Sequence, residues 1–211
     1  MTTRALCLRS FAVRLVSASL AAIALMGCSE DDNNEPPPDL DVCKHFLGDP
    51  ELEPEIELRA LAVGAGSVPL ADGGGIDIIT PPQGGRVVFA GVRATNLCAQ
   101  GVQLAGSFRD PPTGQIRYES RTLNLKPGDD GWGSSVDEDI STFANIPVCP
   151  NQWSSRDIFD QDYELTLSVE DRDGQTATRT ITVRPTCAEP DLDVECRCFC
   201  KAGYVLGEAC L

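Results

Sequence analysis

The sequence predicts an all-β domain in which two antiparallel sheets pack face to face. Apolar and polar residues alternate with a period of two over much of residues 42–185, as they do in strands that bury one face. Turns rich in glycine and proline separate these segments at intervals of about 8–12 residues, a spacing typical of sandwiches and barrels. A clear hairpin closes the region, and its apolar face requires a second sheet as a packing partner.

The first 27 residues are typical of an export signal. Arg4, Arg9 and Arg14 form a basic leader, and an uncharged, mostly apolar run of 12 residues follows at 15–26. As a helix this run would be about 18 Å long, well short of the roughly 30 Å hydrocarbon core of a membrane. We therefore predict a signal peptide over 1–27, rather than a membrane-spanning helix or a buried core helix.

The end of this signal carries a more specific pattern. Leu25-Met26-Gly27-Cys28 resembles the lipobox of bacterial lipoproteins. The resemblance implies that the Cys28 thiol is diacylated with palmitate or similar chains, that the chain is cut before Cys28, and that the new amine is acylated. Two or three acyl chains anchor a protein stably, whereas one does so only marginally. By the same resemblance, Ser29 after the lipidated cysteine favours export to the outer membrane. The alternative to a lipobox is an ordinary secretory signal, in which case Cys28 would form a disulfide.

A lipidated, acidic and proline-rich tether is predicted over 28–42. Residues 29–41 hold six acids, three prolines and no base, so they bury too little apolar surface to fold. The chain of 211 residues has a net charge of −15, which opposes binding to nucleic acid and to anionic lipid headgroups. The tether is expected to hold a folded domain away from the bilayer.

The first half of the domain contains four predicted strands, at Glu55–Ala60, Ile76–Ile78, Arg86–Leu97 and Val102–Phe108. The next segment is less regular, because Ile116 and Tyr118 lie on one face whereas Leu123 and Leu125 fall on the other. A β-bulge near Ser120-Arg121 is expected to reconcile the two phases. We predict a loop over residues 126–135. The pattern over 136–148 fits either a helical turn or an irregular strand, and a 3₁₀ or α turn is expected over 153–159.

The closing hairpin is the clearest element. Tyr163, Leu165, Leu167 and Val169 alternate with polar residues, Asp171–Gly174 forms a turn, and a threonine-rich strand follows at 176–183. These residues resemble the last two strands of immunoglobulin-like domains, especially PKD-like and fibronectin-like repeats. The resemblance implies an immunoglobulin-like antiparallel β-sandwich over 43–187, with Tyr163 as the corner tyrosine. Leu165 stands where antibody-type domains carry a cysteine, and a fold-level likeness implies no activity.

Eight cysteines remain once Cys7 in the signal and Cys28 are set aside: Cys43, Cys98, Cys149, Cys187, Cys196, Cys198, Cys200 and Cys210. An even number in an exported chain predicts four disulfides. Cysteines in a C-x-C motif seldom pair with each other, because the geometry is strained. Cys196, Cys198 and Cys200 are therefore expected to pair with Cys187, Cys210 and one cysteine of the sandwich. Cys43 is expected to staple the end of the sandwich near the first strand.

Residues 188–211 form a cysteine-rich tail that has too little apolar surface to fold without disulfides. The run from Cys196 to Tyr204, followed by Cys210, resembles the second half of an epidermal-growth-factor-like module. A zinc–thiolate site is the alternative reading of these cysteines. It is disfavoured because C-x-C-x-C lacks the loop that separates most zinc-ligating cysteines, and because exported thiols oxidise.

The sequence offers little for catalysis, and we predict no enzymatic activity. His45 is the only histidine and lies beside the tether, where an exposed position is expected rather than a nucleophile-activating triad. No G-x-S-x-G, H-E-x-x-H, Walker A or Rossmann motif occurs. A small carboxylate-based hydrolase is a remote alternative, since acids are abundant but two tryptophans and three tyrosines give few stacking residues for a sugar.

Calcium is the one cofactor that the sequence suggests. Carboxylate oxygens suit Ca²⁺, and three loops are acidic, at 129–130, at 137–139, and at Asp157, Asp160 and Asp162. The third loop is the candidate site because it precedes Tyr163, where some sandwich families hold interdomain calcium. None of the loops matches the EF-hand pattern. The alternative to a calcium site is that these carboxylates are simply exposed to solvent and bind no ion.

These features predict a membrane-anchored lipoprotein of the cell envelope that acts as a non-catalytic binding or structural module. Cys28 would tie it to the lipid bilayer, and its partner would be a protein or polysaccharide of the envelope. A calcium-stabilised adhesion or spacer domain is the alternative. A binding module is expected to expose an apolar or aromatic patch, for which Trp132 and Trp153 are the candidates.

Overall fold

The computed structural model describes residues 43–136 and 139–210. The predicted signal peptide, Cys28 and the tether lie outside these residues, as do Asp137 and Glu138 of one acidic loop. Within the described residues the predicted all-β class is confirmed, because strands form most of the regular structure and helices are confined to short segments.

The described residues form thirteen strands and one α-helix. The strands are β1 (Phe46–Leu47), β2 (Glu55–Ala62), β3 (Gly66–Pro69), β4 (Gly74–Ile78), β5 (Arg86–Thr95), β6 (Leu97–Cys98), β7 (Val102–Arg109), β8 (Ile116–Leu123), β9 (Lys126–Pro127), β10 (Gly133–Ser134), β11 (Ala144–Cys149), β12 (Tyr163–Glu170) and β13 (Thr176–Cys187). The helix α1 (Asp193–Cys200) follows β13, and single 3₁₀ turns lie at Ile140–Thr142 and Pro190–Leu192.

These strands build two large sheets and one small pair. One sheet has the order β4-β13-β12-β7-β8, and its β4–β13 pairing is parallel whereas the others are antiparallel. The second sheet has the order β3-β2-β5-β10-β9, with β11 also paired to β5, and all its pairings are antiparallel. Strands β1 and β6 form the small pair.

The two large sheets share one apolar core, so the fold is a β-sandwich. Leu104 and Leu167 from the first sheet belong to the same buried cluster as Leu58 and Val92 from the second. Strand β5 is covered on its other face as well, where Phe89 packs into a smaller buried cluster. This double cover explains why β5 lacks the alternation of a half-exposed strand.

Close packing of the sheets requires a glycine at one point. Gly106 of β7 faces β11, and a Cβ atom there would lie 2.8 Å from the Cδ1 of Ile146 and 3.1 Å from the Cβ of Ala144. These separations are shorter than ordinary van der Waals contacts, so a larger residue would push the strands apart.

The β-bulge predicted near Ser120-Arg121 is wrong. Strand β8 pairs with β7 in one unbroken register from Ile116 to Leu123. Its inward positions are Arg117, Glu119, Arg121 and Leu123, whereas Ile116 and Tyr118 are exposed. The prediction failed because it assumed that the apolar residues of β8 face inward. In this edge strand the charged residues face inward instead, and two apolar residues are exposed.

The region read as ambiguous, 136–148, combines both alternatives. The 3₁₀ turn at Ile140–Thr142 begins at Asp139, whose carboxylate accepts the N–H of Ser141 (3.0 Å), and strand β11 follows. Residues 153–159, where a 3₁₀ or α turn was expected, contain turns and bends but no helix. The tail, expected to resemble a growth-factor-like module, instead contains helix α1.

Candidate binding surface at the cysteine-capped end

The eight cysteines of the described residues form four disulfides, as the sequence predicts. The pairs are Cys43–Cys98, Cys149–Cys200, Cys187–Cys196 and Cys198–Cys210. Helical spacing explains how three close cysteines find separate partners. Cys196 and Cys200 are four residues apart in α1 and share its buried face, whereas Cys198 lies between them on another face. The first two therefore bind α1 to the sandwich, and Cys198 holds the final residues.

The cysteine-rich tail and Cys43, which the predicted tether precedes, lie at opposite ends of the sandwich. Strand β5 begins at Arg86, which pairs with Cys149 beside the tail disulfides. It ends at Thr95, close in sequence to Cys98, which binds Cys43. The 10 residues of β5 span about 30 Å. We call the two ends the capped end and the tether end.

A group of exposed apolar side chains lies at the capped end. Trp153 is 86% exposed, Val205 is 66% exposed and Leu206 is 72% exposed. The N–H of Gly203 donates to the carbonyl of Ser154 (3.1 Å), which joins the loops that carry these residues. We refer to Trp153, Val205 and Leu206 as the capped-end patch. Exposed apolar side chains grouped on neighbouring loops are typical of interaction surfaces.

An apolar groove of about 420 Å³ borders this patch. Leu206 is shared between the two, and the other lining residues include Gly85, Pro150, Phe199 and Tyr204. The rings of Phe199 and Tyr204 meet edge to face with centroids 5.1 Å apart, and the Tyr204 hydroxyl donates to the carbonyl of Glu208 (3.3 Å). The walls of the groove are therefore aromatic, and the Tyr204 hydroxyl already has a hydrogen-bond partner within the chain.

A buried arginine supports the aromatic wall from behind. Arg86 is only 3% exposed, and its guanidinium lies 5.4 Å from the centroid of Phe199. It also pairs with Glu195 of α1 (3.2 Å) and donates to the carbonyl of Gly85 (2.8 Å). These contacts fix Phe199 and α1 to the start of β5, so the groove is built on the rigid part of the fold.

A buried polar network holds the loop that carries Trp153. The Asn151 amide donates to the carbonyls of Arg156 (2.7 Å) and Cys200 (3.2 Å), and it accepts from Arg117 (2.9 Å). The fully buried Asp110 pairs with Arg156. Because Asn151 and Ser154 are both buried on either side of Trp153, the exposure of the tryptophan is a feature of an ordered loop.

Burial in this network shifts two side chains from their ordinary pKa values. Desolvation lowers the pKa of Arg117, against the opposing charge of Asp110. Desolvation raises the pKa of Tyr163, and the nearby charge of Asp110 adds to the effect. The Tyr163 hydroxyl donates to the carbonyl of Asp157 (3.2 Å), which ties β12 to the same loop.

The three predicted calcium ligands have separate partners. Asp157 accepts the N–H of Ala202 (2.8 Å), Asp160 pairs with Arg197 (2.9 Å), and Asp162 pairs with Arg184 (2.6 Å). Across residues 43–136 and 139–210, no three His, Cys, Asp or Glu side chains are grouped so that they would hold a metal ion. The structure thus places the three carboxylates in one loop but directs them to different parts of the chain.

Two other candidate residues lie away from the patch. His45 is exposed near Cys43, and its Nδ1 lies 2.9 Å from the amide nitrogen of Gln100. Trp132 is only half-buried, but Arg93 covers its ring at 4.4 Å from the centroid. Of the two tryptophans named from the sequence, Trp153 is therefore the one that presents a free face.

Sequence reasoning missed Val205, Leu206 and the groove beside them. These residues belong to a short irregular tail with no periodic pattern, so hydropathy gave no sign of where they point.

No protein-family model matches this chain, and the search of curated proteins finds no match. No helix among the described residues is long and apolar enough to cross a membrane.

Proposed function

We propose that this protein is a lipid-anchored module of the cell envelope that binds a partner through the capped-end patch and performs no catalysis. The anchor would be Cys28, acylated as the lipobox-like residues suggest, with the outer membrane as the favoured location. The partner would be a protein or polysaccharide of the envelope.

The observation that carries this proposal is the position of the patch. The tether joins the sandwich at Cys43, and the patch lies at the opposite end, about 30 Å away along β5. A fully extended tether between Cys28 and Cys43 would add about 50 Å. An anchor at one end and an exposed aromatic surface at the other is the arrangement that a presenting module requires.

We further propose that the sandwich is immunoglobulin-like. The hairpin β12–β13 and its neighbour β7 correspond in order to the F, G and C strands of that fold, and β8 extends the same sheet as in variable-type domains. The pairing of β5 with β11 is consistent with strands B and E on the other sheet. The bond from the Tyr163 hydroxyl to a carbonyl upstream supports its role as the corner tyrosine.

The binding proposal is tested by pull-down from envelope extracts with the full exported protein as bait. Trp153→Ala combined with Leu206→Ser is expected to lose the retained partner. Leu52→Ser is the matched control, because Leu52 is 57% exposed but lies just before β2, at the tether end. Equal retention by both variants would overturn the assignment of the patch.

The anchor is tested separately by mass spectrometry of the native product. A mass that corresponds to a chain beginning at acylated Cys28 is expected, and Cys28→Ser is expected to release the protein from the membrane fraction. A full-length, unmodified chain would overturn the lipoprotein assignment without affecting the patch.

A further inference from the structure

The Cys198–Cys210 disulfide differs from the other three disulfides in its exposure. Each of the other three includes at least one buried cysteine, and the buried cysteines are Cys98, Cys149, Cys196 and Cys200. Neither Cys198 nor Cys210 is buried. A disulfide is reduced when a thiolate attacks one of its sulfur atoms, so access to the sulfurs decides which bond opens first in a folded protein. Exposure therefore marks Cys198–Cys210 as the bond that a reductant reaches.

This disulfide closes the segment that forms one wall of the apolar groove. Four of the groove residues lie within residues 201–209, and they are Tyr204, Leu206, Gly207 and Glu208. Two of the three residues of the capped-end patch, Val205 and Leu206, belong to the same segment. The opposite wall includes Phe199, which is held next to the buried Cys149–Cys200 bond. Opening the exposed disulfide would thus free one wall and leave the other covalently fixed.

The first part of this segment has its own bonds to the sandwich. The N–H of Ala202 donates to the carboxylate of Asp157 (2.8 Å), and the N–H of Gly203 donates to the carbonyl of Ser154 (3.1 Å). Tyr204 follows and is only 3% exposed. These contacts are independent of the disulfide, so we expect this part of the segment to stay in place when the bond is reduced.

The last part of the segment, residues 205–210, depends on the disulfide. The N–H of Glu208 donates to the carbonyl of Val205 (2.9 Å), its carboxylate pairs with Lys201, and its carbonyl accepts from the Tyr204 hydroxyl (3.3 Å). In the part of the chain that the structure describes, the hydrogen bonds and ion pairs of residues 205–210 join them only to residues 201–210. The disulfide is therefore the bond that holds these residues to α1.

We propose that Cys198–Cys210 is a redox switch for the capped-end patch and that an exported dithiol protein opens it. The inference rests on the proposed function, because it concerns the regulation of the same binding surface. In the open form residues 205–210 separate from α1, so Leu206 leaves both the patch and the groove. Helix α1 stays docked, since Cys149–Cys200 and Cys187–Cys196 remain oxidised. Partner binding is thereby lost without unfolding of the sandwich.

The reaction is a thiol–disulfide exchange in two steps. One thiol of the dithiol loses its proton and attacks a sulfur of Cys198–Cys210, the S–S bond breaks, and the displaced sulfur leaves as a thiolate that takes up a proton. The second thiol of the reductant then loses its proton and attacks the mixed disulfide, which releases the other cysteine as a thiolate that is protonated in turn. The reductant ends as a disulfide, and the protein gains two electrons and two protons as two thiols.

The order of reduction is tested on the full exported protein with dithiothreitol as the probe dithiol. Limited reduction is followed by alkylation with a maleimide and by mass spectrometry of the peptides. We expect Cys198 and Cys210 to be labelled before any of the other six disulfide cysteines. Paired Cys198→Ser and Cys210→Ser substitutions give the matched control, which is expected to stay unlabelled under the same conditions. First labelling at another disulfide, or the opening of all four together, would overturn the proposal.

The effect on the patch is tested by pull-down from envelope extracts with two baits, the oxidised protein and the protein alkylated at Cys198 and Cys210 alone. The oxidised bait is expected to retain its partner and the alkylated bait to lose it. The paired serine variant, which carries no alkyl groups, is expected to behave like the alkylated bait. Equal retention by all three would overturn the switch and leave the proposed function intact, whereas no retention by the oxidised bait would overturn the proposed function and this inference with it.

Two further readouts do not depend on a partner. Reduction at this disulfide is expected to speed amide hydrogen exchange in residues 205–210 and to leave exchange in α1 unchanged, and the reverse would contradict the switch. In intact cells quenched with acid and then alkylated, a fraction of the chains is expected to carry label at both Cys198 and Cys210. Complete oxidation of this pair throughout growth would show that no exported dithiol opens it.

Discussion

Asp171 shows how one buried carboxylate fixes the geometry of a hairpin. It is only 3% exposed, and its oxygens accept the N–H groups of Asp173 (2.9 Å), Gln175 (3.0 Å) and Cys98 (2.9 Å). The first two bonds shape the turn between β12 and β13. The third joins this turn to the tether end of the sandwich, beside the Cys43–Cys98 disulfide.

Replacement of this carboxylate is expected to be costly. Asp171→Ala leaves three backbone donors without their acceptor, and the expected loss of unfolding free energy is about 2–3 kcal/mol. Urea denaturation of the two proteins measures the difference. Asp173→Ala is the control, because that residue contributes its N–H rather than its carboxylate to the turn. Equal stability of Asp171→Ala and the native protein would contradict this account.

Tyr163 is expected to make the stability of the protein depend on pH in the alkaline range. Its pKa is raised, first by burial and then by the charge of Asp110. The unfolded chain has an ordinary tyrosine pKa of about 10. The neutral phenol therefore stabilises the fold fully below about pH 10, and this stability is lost as the pH rises through the higher pKa of the folded state.

Tyr163→Phe isolates this effect. It keeps an aromatic ring against Phe108, where the native centroids are 4.6 Å apart, but removes the ionisable hydroxyl and its bond to Asp157. The variant is expected to lose about 1 kcal/mol at neutral pH and to show a shallower fall in stability above pH 10. Denaturant titrations across that range measure both quantities. A slope as steep as that of the native protein would contradict the prediction.

At the scale of the element, the local sequence correctly predicted those strands in which apolar residues face the core and polar residues face solvent. The hairpin β12–β13 was correctly read because its alternation and its Asp171–Gly174 turn lie within a short span. Strand β8 was misread, because its inward Arg117 and Glu119 are satisfied by Asn151 and Asn145, which are distant in sequence. Such partners are tertiary contacts that no local pattern reveals.

The tail shows the same limit. Its cysteines predicted disulfides, but the helix α1 that directs Cys196, Cys198 and Cys200 apart was not foreseen. The helix is short, and isolated helices of this length are marginal in water. Its stability therefore comes from the disulfides and from Arg86, which pairs with Glu195. Trp153 was recognised from its residue type alone, whereas the groove that borders the capped-end patch depends on where α1 docks.

Two of the three disulfides that involve α1 are expected to differ in their effect on stability. The Cys149–Cys200 bond joins residues 51 apart, whereas Cys198–Cys210 joins residues 12 apart. In the chain-entropy model the longer loop stabilises the fold by about 1 kcal/mol more, within a total of about 3–4 kcal/mol. Paired alanine substitutions, each compared with the native protein in urea, measure the two contributions.

The longer bond is also expected to control the order of the capped end. Loss of Cys149–Cys200 should speed amide hydrogen exchange in α1 and weaken partner retention, because hydrogen bonds such as that from the Asn151 N–H to the Phe199 carbonyl would then hold this end of α1 beside β11 without a covalent link. Loss of Cys198–Cys210 should affect the last residues more than the helix. The opposite ranking in stability or exchange would contradict the role assigned to the longer bond.

At the scale of the whole molecule, the distribution of charge bears on whether calcium supports the fold. The chain has 32 acidic and 17 basic residues, so free carboxylates are abundant. The three candidate calcium ligands are nevertheless engaged, since Asp160 and Asp162 form ion pairs with Arg197 and Arg184, and Asp157 accepts a backbone N–H. A calcium ion bound by all three would have to displace each of these partners.

We therefore expect the melting temperature to be unchanged by a strong chelator. Exposed ion pairs contribute about 0–1 kcal/mol each, so Arg184→Gln and Arg197→Gln are expected to destabilise the protein only slightly. Together they free Asp160 and Asp162, which makes the double variant the matched test of whether these acids then take up calcium. Calorimetric melting of both proteins, with chelator and with added Ca²⁺, supplies the measurement. A fall of many degrees when chelator is added to the native protein would favour the calcium-stabilised spacer instead, because the ion would then contribute binding free energy to the folded state.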